Sequence, residues 1–376
     1  MSILHAQHAQ HAQHAQHAQH AQHAQGAAGG DGGSVLLSTA LITTRDGLIG
    51  SETIVPAAVP TVPPPLPIES RLLRLAANHR AGVLAAEILE DLRFDPRGTG
   101  PVSERAVLWR RRAGASAASS RYTPLATLTR PPDDHLGEGL AYVAGYAELR
   151  GERLAEIEVQ KSDIIPFFAS IVPLCPDRSR RSVELLLLGM DVAGALAQRF
   201  KLAFASPRPY FFSPLLQPMI PTPEHGSWPS GHATQAFTVA TLLTALIQGE
   251  GPATVAPDSQ VFALAARIAA NRTVAGVHFP SDSAAGAMLG IAVGNYLAAR
   301  ACAGQSRTAG KMDALRFDGA ALDSSTDFHI GTVQALLGAG GAHPACSFDT
   351  PSNVSPAAML AALWDAAREE VAAQWS

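Results

Sequence analysis

The chain is poor in cysteine: Cys175, Cys302 and Cys346 are the only three in 376 residues, and they stand far apart. An odd, scattered set makes neither a disulfide framework nor a CxxC metal site, so ordinary thiols in a reducing compartment are expected. Positive charge is not in excess either. Lys and Arg total 28 against 32 Asp and Glu, a net charge of −4, which argues against a polyanionic partner such as nucleic acid. The local clusters "RLLRLAANHR" and "LWRRRAG" are of the kind that usually forms a solvated face. No basic n-region followed by an apolar h-region opens the chain, so there is no recognisable secretory signal, and a cytoplasmic or otherwise soluble location is expected. Long hydrophobic runs are missing too. Two later uncharged stretches, over 233–249 and 283–299, are each about 17 residues and contain Thr, Gln or Asn. Both fall short of the ~20 apolar residues that cross a bilayer. They read as buried core helices, with no stable membrane insertion.

Hydrophobic residues make up 47% of the chain, enough for a sizeable core. Residues 5–25 are seven tandem HAQ triplets. They offer no large apolar side chain to bury, so residues 1–33, including a Gly-rich patch, are expected to be a disordered low-complexity tail. Adventitious metal binding and repeat expansion without a selected role remain the alternatives for the triplets. Residues 34–66, with "PAAVPTVPPPLP", read as a stiff extended linker. From 67 to 376 a single catalytic domain is expected. Apolar residues recur at helical spacing in "ESRLLRLAANHRAGVLAAEILEDLR", at Leu72, Leu75, Val83, Ile88 and Leu92. Further helices are expected over 138–160, 180–205, 232–249, 258–274, 281–300 and 356–374. The stretch 94–135 reads as an Arg-, Ser- and Pro-rich loop. Alternating strand-like runs are nearly absent, and the expected fold is an all-α helical bundle.

Three constellations lie between residues 201 and 282. In "KLAFASPRP", Lys201 closes a helix and Arg208 follows seven residues on. A movable point charge and a planar fork beside a chain break suit an anion. In "WPSGHATQAF", Ser230 is a candidate N-cap, Gly231 leaves the backbone open, and His232 stands on the first helical turn. Unpaired amides and the helix dipole both favour negative charge there. In "NRTVAGVHFPSD", Arg272 ends a helix and Asp282 lies four residues after His278. A carboxylate at that spacing fixes an imidazole tautomer and frees Nε2 as a nucleophile or ligand.

Taken in order, K-x6-RP, PSGH and R-x5-H-x3-D resemble the signature of the superfamily joining type-2 phosphatidic acid phosphatases, bacterial non-specific acid phosphatases and vanadium-dependent haloperoxidases. The resemblance covers about residues 140–303. It implies a helical bundle around a tetrahedral oxyanion. Lys201, Arg208 and Arg272 would hold its equatorial oxygens, with Ser230 and the Gly231 amide adding hydrogen bonds. His278 would be the covalent partner (the vanadate ligand in a haloperoxidase), oriented by Asp282, and His232 the apical acid–base group. Asn271 departs from the Ser of many members, so one supporting hydrogen bond should differ.

Two chemistries run on such a site. A vanadium-dependent haloperoxidase would hold vanadate and oxidise halide with hydrogen peroxide for transfer to an organic acceptor. A soluble phosphatase would hydrolyse phosphomonoesters through a phosphohistidine and need no cofactor. The extra N-terminal helices resemble the soluble haloperoxidases. His225, seven residues before His232, resembles the second histidine of their bromoperoxidase-like branch, so bromide oxidation leads, with the phosphatase as the alternative. Trp228 either shapes a halide or substrate pocket or packs under the loop. The partners expected are these small molecules, with homo-oligomerisation left open.

Overall fold

A computed structural model of the chain describes residues 39–45, 64–114, 121–175, 177–249, 253, 255–256, 258–304, 310–338 and 341–375. The HAQ tract, the Gly-rich patch and most of the Pro-rich segment lie outside the described residues. Within the expected linker, residues 39–45 are helical rather than extended. The chain divides into two compact units, Met1–Arg80 and Ala81–Ser376. In the first unit the helix Ile68–Arg74 stops at Leu75. There the Leu75 amide bonds the Leu72 carbonyl, and the Arg80 guanidinium donates to the carbonyls of Leu72, Leu73 and Leu75 at the helix end.

The second unit holds the motifs. Its principal helices are α1 (Arg150–Gln160), α2 (Arg180–Phe204), α3 (Gly231–Gln248), α4 (Gln260–Val274), α5 (Pro280–Cys302) and α6 (Ala358–Trp375). Each matches an expected helix to within a few residues. The exception is 138–160, which breaks into Leu140–Tyr146, a 3-10 turn and α1. Among the described residues, no helix is long and apolar enough to cross a membrane. The central helix is α3, which packs against α2, α4, α5 and α6. Ser230 caps its first turn and Gly249 ends it at φ 76°. Since α3 is covered on most sides, it buries Thr234, Thr238 and Thr241 along with its apolar residues. Each threonine hydroxyl donates to the carbonyl four residues before it, so no polar group is stranded.

The closest helix pair is α3 with α5. Gly286, Gly290 and Gly294 recur every four residues and so share one face. A Cβ on Gly290 would stand 2.4 Å from the Thr234 carbonyl oxygen, and one on Gly286 would stand 2.5 Å from that of Ser230. The helices therefore touch backbone to backbone, and Thr238 Oγ1 donates to the Gly290 carbonyl across the contact at 3.0 Å.

The all-α expectation needs correction. The structure is helix-rich, 58% helical, and carries a five-stranded sheet. Strands β1 (Leu92–Arg97), β2 (Arg105–Arg111) and β3 (Tyr122–Thr129) form an antiparallel meander. The last of these pairs in parallel with β4 (Leu315–Asp318), which pairs antiparallel with β5 (Cys346–Phe348). A smaller ladder joins Lys311–Met312 to Ser352–Asn353. Strands β1 to β3 lie largely in what reads as an Arg- and Pro-rich loop because arginines interrupt their apolar pattern. In the "RAVLWRR" of β2, Arg105 and Arg111 are exposed, while Arg110 is buried and donates to the Ser352 and Asn353 carbonyls. Pro124 faces a register shift between Leu108 and Trp109, a bulge where the missing N–H is tolerated. The β3–β4 pairing joins residues nearly two hundred positions apart, beyond the reach of local periodicity.

Candidate oxyanion site

The three motifs converge within the second unit. At the end of α2, Ala205 adopts the left-handed conformation at φ 44° and its N–H bonds the Lys201 carbonyl at 3.0 Å. Pro207 follows, so the helix stops with Lys201 in its last turn. The Lys201 ammonium turns inward and donates to the carbonyls of Gly226 (3.0 Å) and Ser227 (2.7 Å). Arg208 reaches the same loop. Its Nε donates to the His225 carbonyl at 3.1 Å and one terminal nitrogen donates to Val277 O at 2.8 Å.

Arg272 sits in the last turn of α4. One terminal nitrogen donates to Gln160 Oε1 (3.2 Å) and Ile157 O (3.4 Å). Its Nε and other terminal nitrogen are buried with no partner among the described residues. All three cations are only 1% exposed. Such burial is costly without counter-charge, and the buried carboxylate acting on Lys201 and Arg208 is Asp282. Burial, with Arg208 beside it, holds the Lys201 ammonium well below the usual lysine range. Burial likewise brings Arg208 and Arg272 down to about 10.

At the start of α5, Asp282 Oδ2 accepts from His278 Nδ1 at 2.7 Å and from the Phe279 amide at 3.0 Å. The carboxylate therefore caps the helix and orients the ring together. Burial and the nearby cations push His278 well below the ordinary imidazole value. Burial raises Asp282 to about 7, against the pull of the Phe279 amide and the cations. A neutral imidazole that donates through Nδ1 presents a lone pair at Nε2.

His232, on the first turn of α3, has its Nε2 3.1 Å from the Gln160 carbonyl oxygen. A carbonyl only accepts, so Nε2 carries the proton and Nδ1 is the open lone pair. Burial and the Arg272 charge take His232 down to about 3. Ser230 Oγ accepts the Ala233 amide at 3.4 Å, which leaves its hydroxyl hydrogen free to donate. The Ser230 amide donates to Asp282 O at 2.8 Å, tying α3 to α5. A Cβ on Gly231 would meet nothing closer than Lys201 Cε at 3.8 Å, so its backbone faces the cationic cluster without obstruction.

His225 is brought to the same cluster. Its ring is half-buried, with Nδ1 3.2 Å from a terminal nitrogen of Arg208. Burial, followed by the Lys201 charge, lowers it to about 4. Trp228 instead belongs to the core: it is 0% exposed, between Phe204 (5.1 Å) and Phe317 (6.2 Å). Packing accounts for its position.

Sequence reasoning missed Gln160, which closes α1 and touches both Arg272 and His232. A glutamine ending an amphipathic helix carries no motif signal; only its burial marks it out. Asn271 has a defined role as well. Its Nδ2 donates to Gln160 Oε1 and to Glu156 Oε2, each at 3.0 Å.

Residues 183–301 match the PAP2 superfamily. The matched segment runs from α2 to the end of α5 and contains every candidate site residue from Lys201 to Asp282; Gln160 lies before it. Superfamily members are generally phosphohydrolases or haloperoxidases, which supports an enzyme and does not separate the two chemistries. No curated protein matches the chain.

Proposed function

We propose that the cluster binds a tetrahedral oxyanion, and that its reaction is vanadium-dependent oxidation of halide, bromide before chloride, by hydrogen peroxide. The observation that carries this choice is His225. Phosphomonoester hydrolysis by covalent catalysis needs one nucleophile and one proton carrier, and His278 and His232 fill those roles. A third neutral imidazole on Arg208, beside the anion-binding groups, has no task in that scheme. Peroxide and halide chemistry gives it one, as a second acid–base group: its Nδ1 lies between a terminal nitrogen of Arg208 (3.2 Å) and the Gly226 carbonyl (3.1 Å), so the ring can hold its proton on either nitrogen.

The donor set fits vanadate as it fits phosphate. Arg272 Nε and a terminal nitrogen are buried donors with no partner among the described residues, and His278 Nε2 is the available ring nitrogen. Lys201, Arg208, Arg272, Ser230 and the Gly231 amide would hold the oxygens. Vanadate bound there would supply Lewis-acid activation of peroxide with no change of oxidation state. Around it, the cations offset charge on the oxygens, Asp282 keeps the proton on His278 Nδ1, and His232 takes up or returns a proton at Nδ1. Burial and then the Arg272 charge depress His232; an incoming anion offsets the cationic part and raises its basicity.

The second reading, phosphomonoester hydrolysis, draws on the same His278–Asp282 dyad. His278 Nε2 attacks phosphorus and the bond to the leaving alkoxide breaks as His232 protonates it. Water, deprotonated by His232, then frees phosphate. Running both assays on one preparation separates the readings. With vanadate and peroxide, bromination of a dimedone-type acceptor is expected; its absence at every halide and pH tested, with metal-free turnover of p-nitrophenyl phosphate, overturns the lead. His225→Ala is expected to lower halogenation at least ~10-fold, within the range of general acid–base contributions, while phosphate affinity stays within about threefold, less than one hydrogen bond's worth.

A further inference from the structure

Gln160 stands outside the motifs and the matched segment, yet it meets the cluster at two points. Its side chain is 1% exposed. Oε1 accepts from Asn271 Nδ2 at 3.0 Å and from Arg272 at 3.2 Å, and its main-chain oxygen lies 3.1 Å from His232 Nε2. The amide orientation follows from the chemistry, because both partners of Oε1 are donors and a turned amide would set N–H against N–H. Asn271 is braced in turn by Glu156, which also pairs with Arg267 at 2.6 Å.

Arg272 has five N–H donors. The contacts to Gln160 and Ile157 occupy a single terminal nitrogen, and the other two nitrogens have no partner among the described residues. We propose that Gln160 is a positioning residue for oxyanion binding: braced by Asn271, its amide oxygen anchors one terminal nitrogen of Arg272 so that the remaining donors are held for the anion. The inference rests on the oxyanion reading of the site and adds to it the element that sets the third cation. It also gives Asn271 a purpose, since a shorter Ser there would not span to Gln160 in the same way.

The test is calorimetric titration of inorganic phosphate and of vanadate into the full chain, comparing wild type, Gln160→Met, Asn271→Ala, Arg272→Ala and the two doubles with Arg272→Ala. Gln160→Met keeps the length of the side chain and removes the acceptor. It is expected to weaken both anions roughly 10- to 100-fold, as loss of a ligand's orienting partner does. Asn271→Ala should weaken them about threefold to tenfold. Both effects should vanish in the Arg272→Ala background, since a residue acting through another has nothing left to act on. Affinity in Gln160→Met within twofold of wild type, or an undiminished loss on top of Arg272→Ala, overturns the inference. If Gln160→Met does not fold, the Asn271→Ala pair decides by the same criterion. Failure of wild type to bind either anion would refute the oxyanion reading itself.

Discussion

At the scale of single residues, the site is a set of tautomers as much as a set of charges. The Asp282 carboxylate and the Gln160 carbonyl each accept from one nitrogen of a neutral histidine. His278 is thereby open at Nε2 and His232 at Nδ1, so two similar rings present different nitrogens. Asp282→Asn tests this directly. An amide can still bond Nδ1, but it can do so as a donor, and the fixed tautomer is lost. We expect a fall in kcat/KM of about 10- to 100-fold in whichever reaction the enzyme runs, with the helix cap at Phe279 weakened as well. Wild-type kcat/KM in the variant would show that the carboxylate does not orient His278. Most of these residues were legible in the chain because their spacing is short and their chemistry distinctive. Gln160 was not, since its role arises from α1 meeting α4 and not from any neighbour in sequence.

At the scale of elements, α3 can carry Ser230, Gly231 and His232 against the start of α5 only because glycines on α5 let the helices touch. Gly290→Ala sets two terms in opposition. Alanine is favoured over glycine in a helix by about 1 kcal/mol, but its Cβ would lie 2.4 Å from backbone oxygen, which no rotamer change relieves. Overpacking of this kind costs roughly 1–3 kcal/mol or more, so the clash wins. Urea denaturation should show a net loss of stability, and anion affinity should fall with it as Ser230 separates from Asp282. A stabilised variant would mean that the helices are less closely seated. The glycine spacing of α5 was visible in the sequence, but nothing local identifies which helix approaches it.

At the scale of the whole molecule, burying three cations and His278, with His225 and His232 partly buried beside them, links stability to pH and to any anion the cluster binds. His225 and His232 are held at about 4 and about 3 against an ordinary 6.5, and His278 is depressed in the same direction. The unfolded chain takes up these protons below about 6.5 while the folded site does not. Stability is therefore complete above that value and is lost as pH falls through the window below it. Each depressed histidine contributes at most about 1.4 kcal/mol per pH unit. Asp282, raised to about 7, acts in the opposite sense, one group against three. Denaturation midpoints should accordingly fall between pH 6.5 and 4.5. Phosphate at a hundred times its Kd should restore about 2.7 kcal/mol. Midpoints insensitive to both would mean that the site is neither buried nor cationic in solution.

By itself the sequence determined the helices of the bundle, the order of the three motifs and the residue types that suit a tetrahedral anion, because helix period, capping and short-range spacing are local properties of a chain. Only the tertiary structure decided the five-stranded sheet, since β3 pairs with β4 across the intervening helices. It also decided the places of three side chains that no spacing distinguishes. Trp228 lies in the core, His225 lies on Arg208, and Gln160 lies under Arg272. Each position depends on which distant element supplies the neighbouring surface and the hydrogen-bond partner, and that is settled when the elements pack.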